Sequence, residues 1–326
     1  MSLLEVQDIV TQFKTDHGIL KAVRGVSFTI DKGETVGVVG ESGCGKSVTA
    51  RSVMRLIPDP PGKISAGQIL FKGKDVLKMS EGEMQKVRGN EISMIFQDPM
   101  TSLNPVFTIH YQLDEILRLH QPQLSKQQRY DRCLEMLKLV RIPSPEQRLK
   151  QYPHELSGGM RQRVMIAIAL ACEPSLLIAD EPTTALDVTV QAQILKLMNE
   201  LQERVGTAIM LITHDLGVVA ETCKRIIVMY LGQVVETGSA REIFDNPRHP
   251  YTIGLTNSIP KLHAERSKDP LPTIEGVVPS LRNIPVGCSF AERCPFKQER
   301  CLTERPDLTV QEDGRQVRCF YPQGGE

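Results

Sequence analysis

The amino-acid sequence predicts an α/β fold with a parallel sheet, an inserted helical segment and a loop-rich C-terminal part. Strand-like and helix-like runs alternate from residue 174 to residue 236, which is the βαβ order of a parallel sheet. Residues 104–156 instead carry apolar side chains three and four positions apart, as helices do. Prolines recur from Pro247 to Pro322 and exclude long helices there.

The remaining elements follow in chain order. Val- and Ile-rich runs at residues 2–10, 23–30 and 33–40 are separated by turn residues and predict strands. Residues 46–56 suit a helix that the proline-rich stretch at residues 57–67 ends, and a strand pair follows at residues 67–76 and 91–98. We therefore expect one domain over residues 1–244, with a helical subdomain at about residues 98–172, and a small loop-rich domain over residues 245–326.

Composition narrows the classes of function. The chain has 326 residues, and its 39 Lys and Arg balance 39 Asp and Glu, so no bulk charge attracts nucleic acid or an anionic membrane. The longest apolar run, residues 164–172, is far shorter than the roughly 20 residues that cross a bilayer. No secretory leader pattern opens the chain, so we expect a cytosolic protein whose eight cysteines form no disulfides.

The stretch "GESGCGKS" predicts a phosphate-binding loop, or P-loop. Its glycines let consecutive backbone N–H groups face phosphate oxygens, and the helix that follows adds the positive end of its dipole. Lys46 is expected to neutralise the β- and γ-phosphates, and Ser47 to hold Mg²⁺. A Gly-rich turn that carries a lysine by chance is the alternative, but a strand precedes the motif and a helix follows it. The predicted ATP site comprises Gly40, Glu41, Ser42, Gly43, Cys44, Gly45, Lys46, Ser47 and Val48.

Acidic residues that serve such a site follow an apolar strand. Asp180 ends the run "LLIAD" and suits Mg²⁺ held through water, and Glu181 next to it is the candidate general base. His214 follows the strand-like run "AIMLIT", where it could reach a γ-phosphate. Two acids after a strand are common, and a lone histidine is usually structural, so these interpretations depend on the P-loop.

A second anion-binding helix start lies at "LSGGMRQR". Ser157 can cap the helix through its hydroxyl, and Gly158 and Gly159 leave N–H groups of the first turn exposed. One domain with one P-loop has no need of two such sites.

With these motifs the sequence resembles the ATP-binding cassette (ABC) transport ATPases, in which the signature of one subunit closes on nucleotide held by another. The resemblance covers residues 2 to about 240. It implies that Phe13 stacks on adenine, Gln97 is the Q-loop glutamine that contacts Mg²⁺, and residues 156–160 are the signature. It also implies that Asp187 ends the D-loop and His214 is the switch histidine. Met160 and Phe13 depart from the usual Gln and Tyr of the family.

Four cysteines crowd into the C-terminal part. Their spacings match neither common zinc motifs nor the ferredoxin run, and buried free thiols are one interpretation. The surroundings of Cys319 and the stretch "RHPYT" at residues 248–252 resemble the C-terminal extension of oligopeptide and dipeptide importer ATPases. That resemblance implies a [4Fe–4S] cluster, with Zn²⁺ as the alternative, on Cys288, Cys294, Cys301 and Cys319.

The resemblance implies the ATP-hydrolysing subunit of a peptide importer. Such a subunit lies on the cytoplasmic face of the membrane and pairs with a second ATPase subunit, a paralogue or a second copy. The pair drives two permease subunits, which it contacts just after Gln97 and which an extracytoplasmic peptide-binding protein supplies. A nickel or glutathione importer of the same branch is the near alternative. A soluble ABC ATPase acting on nucleic acid or ribosomes is the alternative from another class.

Overall fold

The computed structural model describes residues 2–97, 102–183, 187–259 and 272–324. The chain divides into two compact units. The first unit comprises Met1–Leu3, Ile30–Glu34 and Lys78–Ile212, and the second comprises Leu4–Thr29, Thr35–Leu77 and Thr213–Glu326. The boundary at residue 244 and the helical subdomain stay predictions.

The described residues form both strands and helices, each numbered in chain order. The strands are β1 (Ser2–Thr15), β2 (Gly18–Asp31), β3 (Thr35–Val39), β4 (Gly62–Phe71), β5 (Lys74–Asp75), β6 (Ile92–Ile95), β7 (Leu176–Asp180), β8 (Ala208–Ile212), β9 (Arg225–Tyr230), β10 (Gln233–Ser239), β11 (Thr309–Val310) and β12 (Gln316–Val317). The α-helices are α1 (Lys46–Val53), α2 (Glu81–Val87), α3 (Ile109–His120), α4 (Lys126–Leu139), α5 (Pro145–Arg148), α6 (Gly158–Leu170), α7 (Val188–Val205), α8 (Leu216–Thr222), α9 (Ala240–Asp245), α10 (Pro250–Asn257) and α11 (Glu299–Thr303).

The first unit contains the predicted parallel strands. Strand β7 pairs in parallel with β6 and with β8, so that Ile178 lies opposite Met94 and Met210. All three strands are buried along their length, which explains their continuous apolar runs. Helix α7 connects β7 to β8, so the βαβ order predicted from the sequence is confirmed.

Helices lie where the apolar periodicity of residues 104–156 predicts them. Helix α3 buries Ile109, Leu113 and Leu117, which are four residues apart and share one face. Thr108 and Ser125 cap α3 and α4 by accepting a hydrogen bond from a first-turn N–H. Helices α3, α4 and α6 pack on one another in pairs.

The second unit contains two sheets. Strands β2, β1, β4 and β5 lie side by side in that order, and β1 and β4 pair antiparallel. In the other sheet β3 pairs in parallel with β9, and β10, β12 and β11 continue it by antiparallel pairing. Helix α8 packs so closely on β3 that a Cβ on Gly37 would lie 2.5 Å from a methyl carbon of Val219.

The C-terminal segment is loop-rich, as its prolines predict, but it is also tied to the sheet. Its longest described helix, α10, has 8 residues. Strand β12 pairs with β10 through Glu236 and Val317. This pairing joins the C-terminal segment to a strand that lies about 80 residues earlier in the sequence. Within the residues described, no helix is both long and apolar enough to span a membrane.

Candidate nucleotide-binding site

The P-loop connects β3 to α1 in the second unit, and two of its glycines, Gly40 and Gly45, sit where a Cβ would clash with backbone atoms. Gly40 has φ of 147°, and a Cβ there would lie 2.2 Å from the carbonyl oxygen of Met229. Gly45 caps α1 with φ of 98°, and its Cβ would lie 2.6 Å from the carbonyl oxygen of Ala22. Glycine alone accepts these positive φ angles readily. The backbone therefore turns tightly and approaches its neighbours closely, as a phosphate cradle requires.

Lys46 points back across this loop. Its side chain is buried, and Nζ donates to the carbonyl oxygen of Gly40 at 2.7 Å and to that of Glu41 at 3.2 Å. Backbone carbonyls thus hold the ammonium at the mouth of the loop. Cys44 is buried beneath it, and burial raises the pKa of its thiol, so Cys44 stays neutral.

The rest of the loop is open to solvent. Ser42 and Gly43 are exposed, and Ser47 and Val48 are half-buried in the first turn of α1. Thr49 stabilises that turn, because its hydroxyl donates to the carbonyl oxygen of Gly45 at 2.9 Å. The N–H groups at this helix start therefore lie beside an exposed, glycine-lined loop, which is an arrangement that accepts anions.

Two more predicted residues lie in the second unit. His214 is exposed and follows Thr213, whose N–H donates to the carbonyl oxygen of Val38 at 3.3 Å. That bond places the histidine segment at the carboxyl end of β3, where the P-loop begins. Phe13 is half-buried on β1 opposite Gly62, and a Cβ on Gly62 would lie 2.8 Å from the phenyl ring.

The first unit brings Gln97 and Glu181 together. Gln97 Nε2 donates to Glu181 Oε2 at 2.9 Å, and Glu181 N donates to the carbonyl oxygen of Ile212 at 2.8 Å. Asp180 is 1% exposed at the end of β7. Glu181 has φ of 49°, a left-handed conformation that costs a non-glycine residue on the order of 1–3 kcal/mol. The surrounding structure must therefore hold Glu181 in this conformation.

The signature segment forms a helix start, as predicted. Ser157 is the N-cap of α6, and its hydroxyl accepts from Met160 N at 3.3 Å. Ser157 and Gly158 are exposed, Gly159 is half-buried, and a Cβ on Gly158 would have no neighbour within 4 Å. At the D-loop, Asp187 caps α7 by accepting from Val190 N at 2.9 Å. Residues 184–186 lie outside the described part.

The predicted permease contact is described only in part, since residues 98–101 lie outside the described range. Beyond them Val106 is 69% exposed, and the rings of Phe107 and Tyr111 are exposed and stacked with centroids 4.3 Å apart. This part of the surface is therefore apolar and accessible.

The four C-terminal cysteines line one small cavity together with His249, Phe290 and Phe296. Burial, and to a smaller extent the neighbouring Cys288, Cys294 and Cys301, raise the pKa of Cys319 to about 12. However, the described residues contain no group of three or more His, Cys, Asp or Glu side chains placed to hold a metal ion. The structure thus does not support the predicted cluster, although it does bring the four thiols to one place.

Two contacts on the P-loop were not predicted from the sequence. The hydroxyl of Tyr251 accepts from Glu41 N at 2.8 Å, and the guanidinium of Arg293 pairs with the Glu41 carboxylate at 2.7 Å. The partners are 210 and 252 positions apart in the chain, and no local pattern relates residues so distant.

Known protein families match both the part of the chain that contains the P-loop and the C-terminal part. Residues 23–184 match the family described as ABC transporter, and residues 235–301 match the family described as oligopeptide/dipeptide transporter, C-terminal region. The oligopeptide transport ATP-binding protein OppD of Bacillus subtilis is 54% identical over 98% of this chain and 88% of its own length. The dipeptide transport ATP-binding protein DppD of Escherichia coli is 50% identical over 99% of this chain and 97% of its own length.

A solved structure is also similar. It is a dimeric ATP-binding cassette in a post-hydrolysis state with ADP and phosphate. It has a TM-score of 0.66 and 29% identity, and the match covers 73% of this chain and 99% of that one.

Proposed function

Since this chain belongs to the oligopeptide/dipeptide branch of the ABC transporter ATPases, we propose that it hydrolyses ATP to drive the import of peptides. The observation that carries the proposal is the P-loop, where Gly40 and Gly45 leave no room for a Cβ and Lys46 is held at the mouth. The OppD and DppD relatives are named for oligopeptide and dipeptide transport and match nearly the whole of this chain.

The P-loop side chains fit a nucleoside triphosphate with Mg²⁺. Lys46 would exchange its two carbonyl partners for β- and γ-phosphate oxygens. The exposed N–H groups of the loop would donate hydrogen bonds to the remaining phosphate oxygens. We assign Ser47, Asp180 and Gln97 to holding Mg²⁺, which would supply positive charge to neutralise the phosphates. Phe13 would stack on adenine.

Hydrolysis needs a base that orients and deprotonates the attacking water. Glu181 is the residue we assign to it, and the 2.9 Å hydrogen bond from Gln97 fixes one of its carboxylate oxygens. His214 would contact the γ-phosphate. Gln97 contacts Glu181 and precedes the predicted permease surface in the chain. It would therefore couple the state of the nucleotide to that surface.

Two substitutions test this assignment of roles. Glu181→Gln keeps the size of the side chain, so ATP binding should persist while turnover falls by about 10²–10⁴, as for the loss of a general base. Lys46→Ala removes a charge from the cradle and should weaken binding itself. Fluorescence titration and phosphate release measure the two effects separately, and normal turnover in Glu181→Gln would remove Glu181 from the role of base.

The site would be completed by a second ATPase subunit. The α6 start presents exposed N–H groups and the Ser157 hydroxyl, and we assign it to the nucleotide of the partner. Ser157→Arg in the Glu181→Gln background should leave ATP binding by the monomer intact but abolish ATP-dependent dimerisation in gel filtration. Gln127→Arg, on the exposed side of α4, is a matched control that should dimerise normally. Equal dimerisation by both variants would contradict the assignment.

The subunit would act at the cytoplasmic face of the membrane with two permease subunits and an extracytoplasmic binding protein. Copurification of tagged chain from native membranes, followed by identification of its neighbours, tests this arrangement. Uptake of labelled dipeptides and longer peptides, compared with nickel and glutathione, separates the peptide importer from the alternatives of the same branch.

The cysteine cavity would hold a [4Fe–4S] cluster. Four thiols around one cavity supply the donor set that such a cluster or Zn²⁺ requires, although their present placement forms no coordination group among the residues described. Bound through Cys288, Cys294, Cys301 and Cys319, the cluster would tie together a proline-rich segment. Anaerobic purification with iron, sulfide and zinc analysis tests this. Iron and sulfide near four per chain support the cluster, and one zinc per chain supports the alternative. A protein that contains neither iron and sulfide nor zinc would contradict both hypotheses.

A further inference from the structure

We propose that Tyr251 and Arg293, both in the C-terminal segment, are positioning residues for the P-loop. The proposal rests on the proposed ATP site and adds that this segment sets the affinity of the site for ATP. It concerns contacts within the second unit, where the P-loop, α10 and residues 272–324 all lie.

Tyr251 reaches the P-loop from the first turn of α10. Its side chain is fully buried, and its hydroxyl accepts a hydrogen bond from Glu41 N at 2.8 Å. Aromatic neighbours hold the ring, since its centroid lies 4.6 Å from that of Tyr230 and 5.4 Å from that of Phe290. Burial raises the pKa of Tyr251, so the hydroxyl keeps its proton. The Glu41 amide therefore binds a fixed oxygen atom rather than water.

Arg293 holds the side chain of the same residue. Its Nη1 donates to Glu41 Oε2 at 2.7 Å and its Nη2 to Oε1 at 3.1 Å, which is the two-pronged geometry that Arg and carboxylates favour. The Arg293 side chain is 4% exposed, and its Nε donates to the carbonyl oxygen of Glu275 at 3.0 Å. Burial alone would lower the pKa of Arg293, but its hydrogen bonds to Glu41 and Tyr230 and the negative charge of Glu41 raise it above its usual range.

These contacts continue to the group that binds phosphate. Glu41 is fixed at its amide by Tyr251 and at its carboxylate by Arg293, and its carbonyl oxygen accepts from Lys46 Nζ at 3.2 Å. Gly40, the residue before it, supplies the other carbonyl partner of Lys46. The C-terminal segment thus orders the part of the loop that holds the lysine before nucleotide arrives. A loop ordered in advance loses less conformational entropy on binding, so affinity rises without any new contact to the ligand.

Two roles of Arg293 can be distinguished by experiment: positioning the P-loop, as proposed, or only anchoring the C-terminal segment. If Arg293 only anchored it, Arg293→Gln would lower thermal stability and leave the ATP affinity of the folded protein unchanged. If it positions the loop, ATP affinity and KM should change while kcat at saturating ATP stays within about twofold, since neither residue contacts the reacting atoms. We expect Arg293→Gln to weaken ATP binding about tenfold and Tyr251→Phe less, because Phe keeps the ring packing.

The test uses the full chain with Mg²⁺, titrated with a fluorescent ATP analogue and with unlabelled ATP in competition. Arg300→Gln is the matched control, because Arg300 lies in the same segment and pairs with Glu304 at 2.9 Å but is 54% exposed. It should bind ATP like the unmodified chain. Arg293→Lys keeps the charge but not the two-pronged geometry, so it should recover part of the lost affinity.

A double-mutant cycle gives the sharpest result. Glu41→Gln should weaken binding as Arg293→Gln does, and the two together should weaken it no further, because they break one contact. Additive losses, or an Arg293→Gln protein that binds ATP as tightly as Arg300→Gln, would overturn the proposal. If Arg293→Gln does not fold, Tyr251→Phe, which removes a single oxygen, decides in the same assay.

Lys46→Ala separates this proposal from the one on which it rests. If Lys46→Ala loses ATP binding while Arg293→Gln and Tyr251→Phe bind normally, only the positioning role is wrong. If Lys46→Ala binds ATP like the unmodified chain, the P-loop is not the ATP site and both proposals are wrong.

Discussion

The glycine-rich starts of α1 and α6 both suit anions, but they are built differently. At α1 two glycines of the loop have no room for a Cβ, and residues far along the chain hold the loop. At α6 the start is exposed, open space surrounds Gly158, and the main local support is the Ser157 cap. Residues of its own unit support the first helix start, whereas the second helix start is exposed.

This difference corresponds to the two roles proposed for them. A cradle that binds nucleotide by itself gains from being ordered in advance, because the ordering cost is met during folding. A surface that meets the nucleotide of a partner must instead stay accessible until the partner arrives. Substitutions by alanine at the two helix starts test whether they differ in this way.

The largest effect is expected for Gly40→Ala. The new Cβ would lie 2.2 Å from a backbone oxygen, and φ of 147° strains any other residue by on the order of 1–3 kcal/mol. We expect a folded chain with lower stability to urea and ATP affinity reduced by at least about 100-fold, because the loop must shift. Urea unfolding and ATP titration measure the two effects. Near-normal ATP affinity would show that the loop tolerates displacement and would weaken the contrast.

An intermediate effect is expected for Ser157→Ala. Loss of an N-cap hydroxyl typically costs about 0.5–2 kcal/mol, and here it leaves Met160 N without its side-chain partner. Urea unfolding of the nucleotide-free chain should show this loss, while ATP binding by the monomer should not change. Ser157→Asn, which preserves a capping oxygen, should restore most of the stability. A loss of ATP affinity in the monomer would contradict the separation between the two helix starts.

The smallest effect is expected for Gly158→Ala. A Cβ there meets nothing within 4 Å, and alanine favours the helix by up to about 1 kcal/mol over glycine. Stability in urea should therefore stay the same or rise slightly, in contrast to Gly40→Ala. A clear loss of stability would mean that the α6 start is more tightly packed than the structure indicates. ATP-dependent dimerisation of the same variant shows whether binding to the partner requires position 158 to lack a Cβ.

The sequence predicted the local structure around the candidate nucleotide site, while the roles of the site residues stay predictions. The P-loop, the two acids at the end of β7 and the capped start of α6 each depend on residues within about eight positions of one another, and each lies at the end of a strand or helix, where the sequence places it. The ABC family and the α/β fold are confirmed by the comparisons. For the four cysteines, the resemblance to importer ATPases implied one common centre, and the structure places all four around one cavity. Coordination of a metal depends on side-chain placement, which the sequence does not specify.

By itself the sequence determined the kind of ligand, because glycine, lysine and serine at fixed spacing have few other uses after a strand and before a helix. The tertiary structure alone decided what supports the site. Gln97 and Glu181 meet across 84 positions, and Tyr251 and Arg293 reach Glu41 across 210 and 252. Local periodicity reports which face of an element is buried, but it holds no information on which distant side chain packs against that face. Only the folded chain therefore shows that its C-terminal segment holds its phosphate-binding loop.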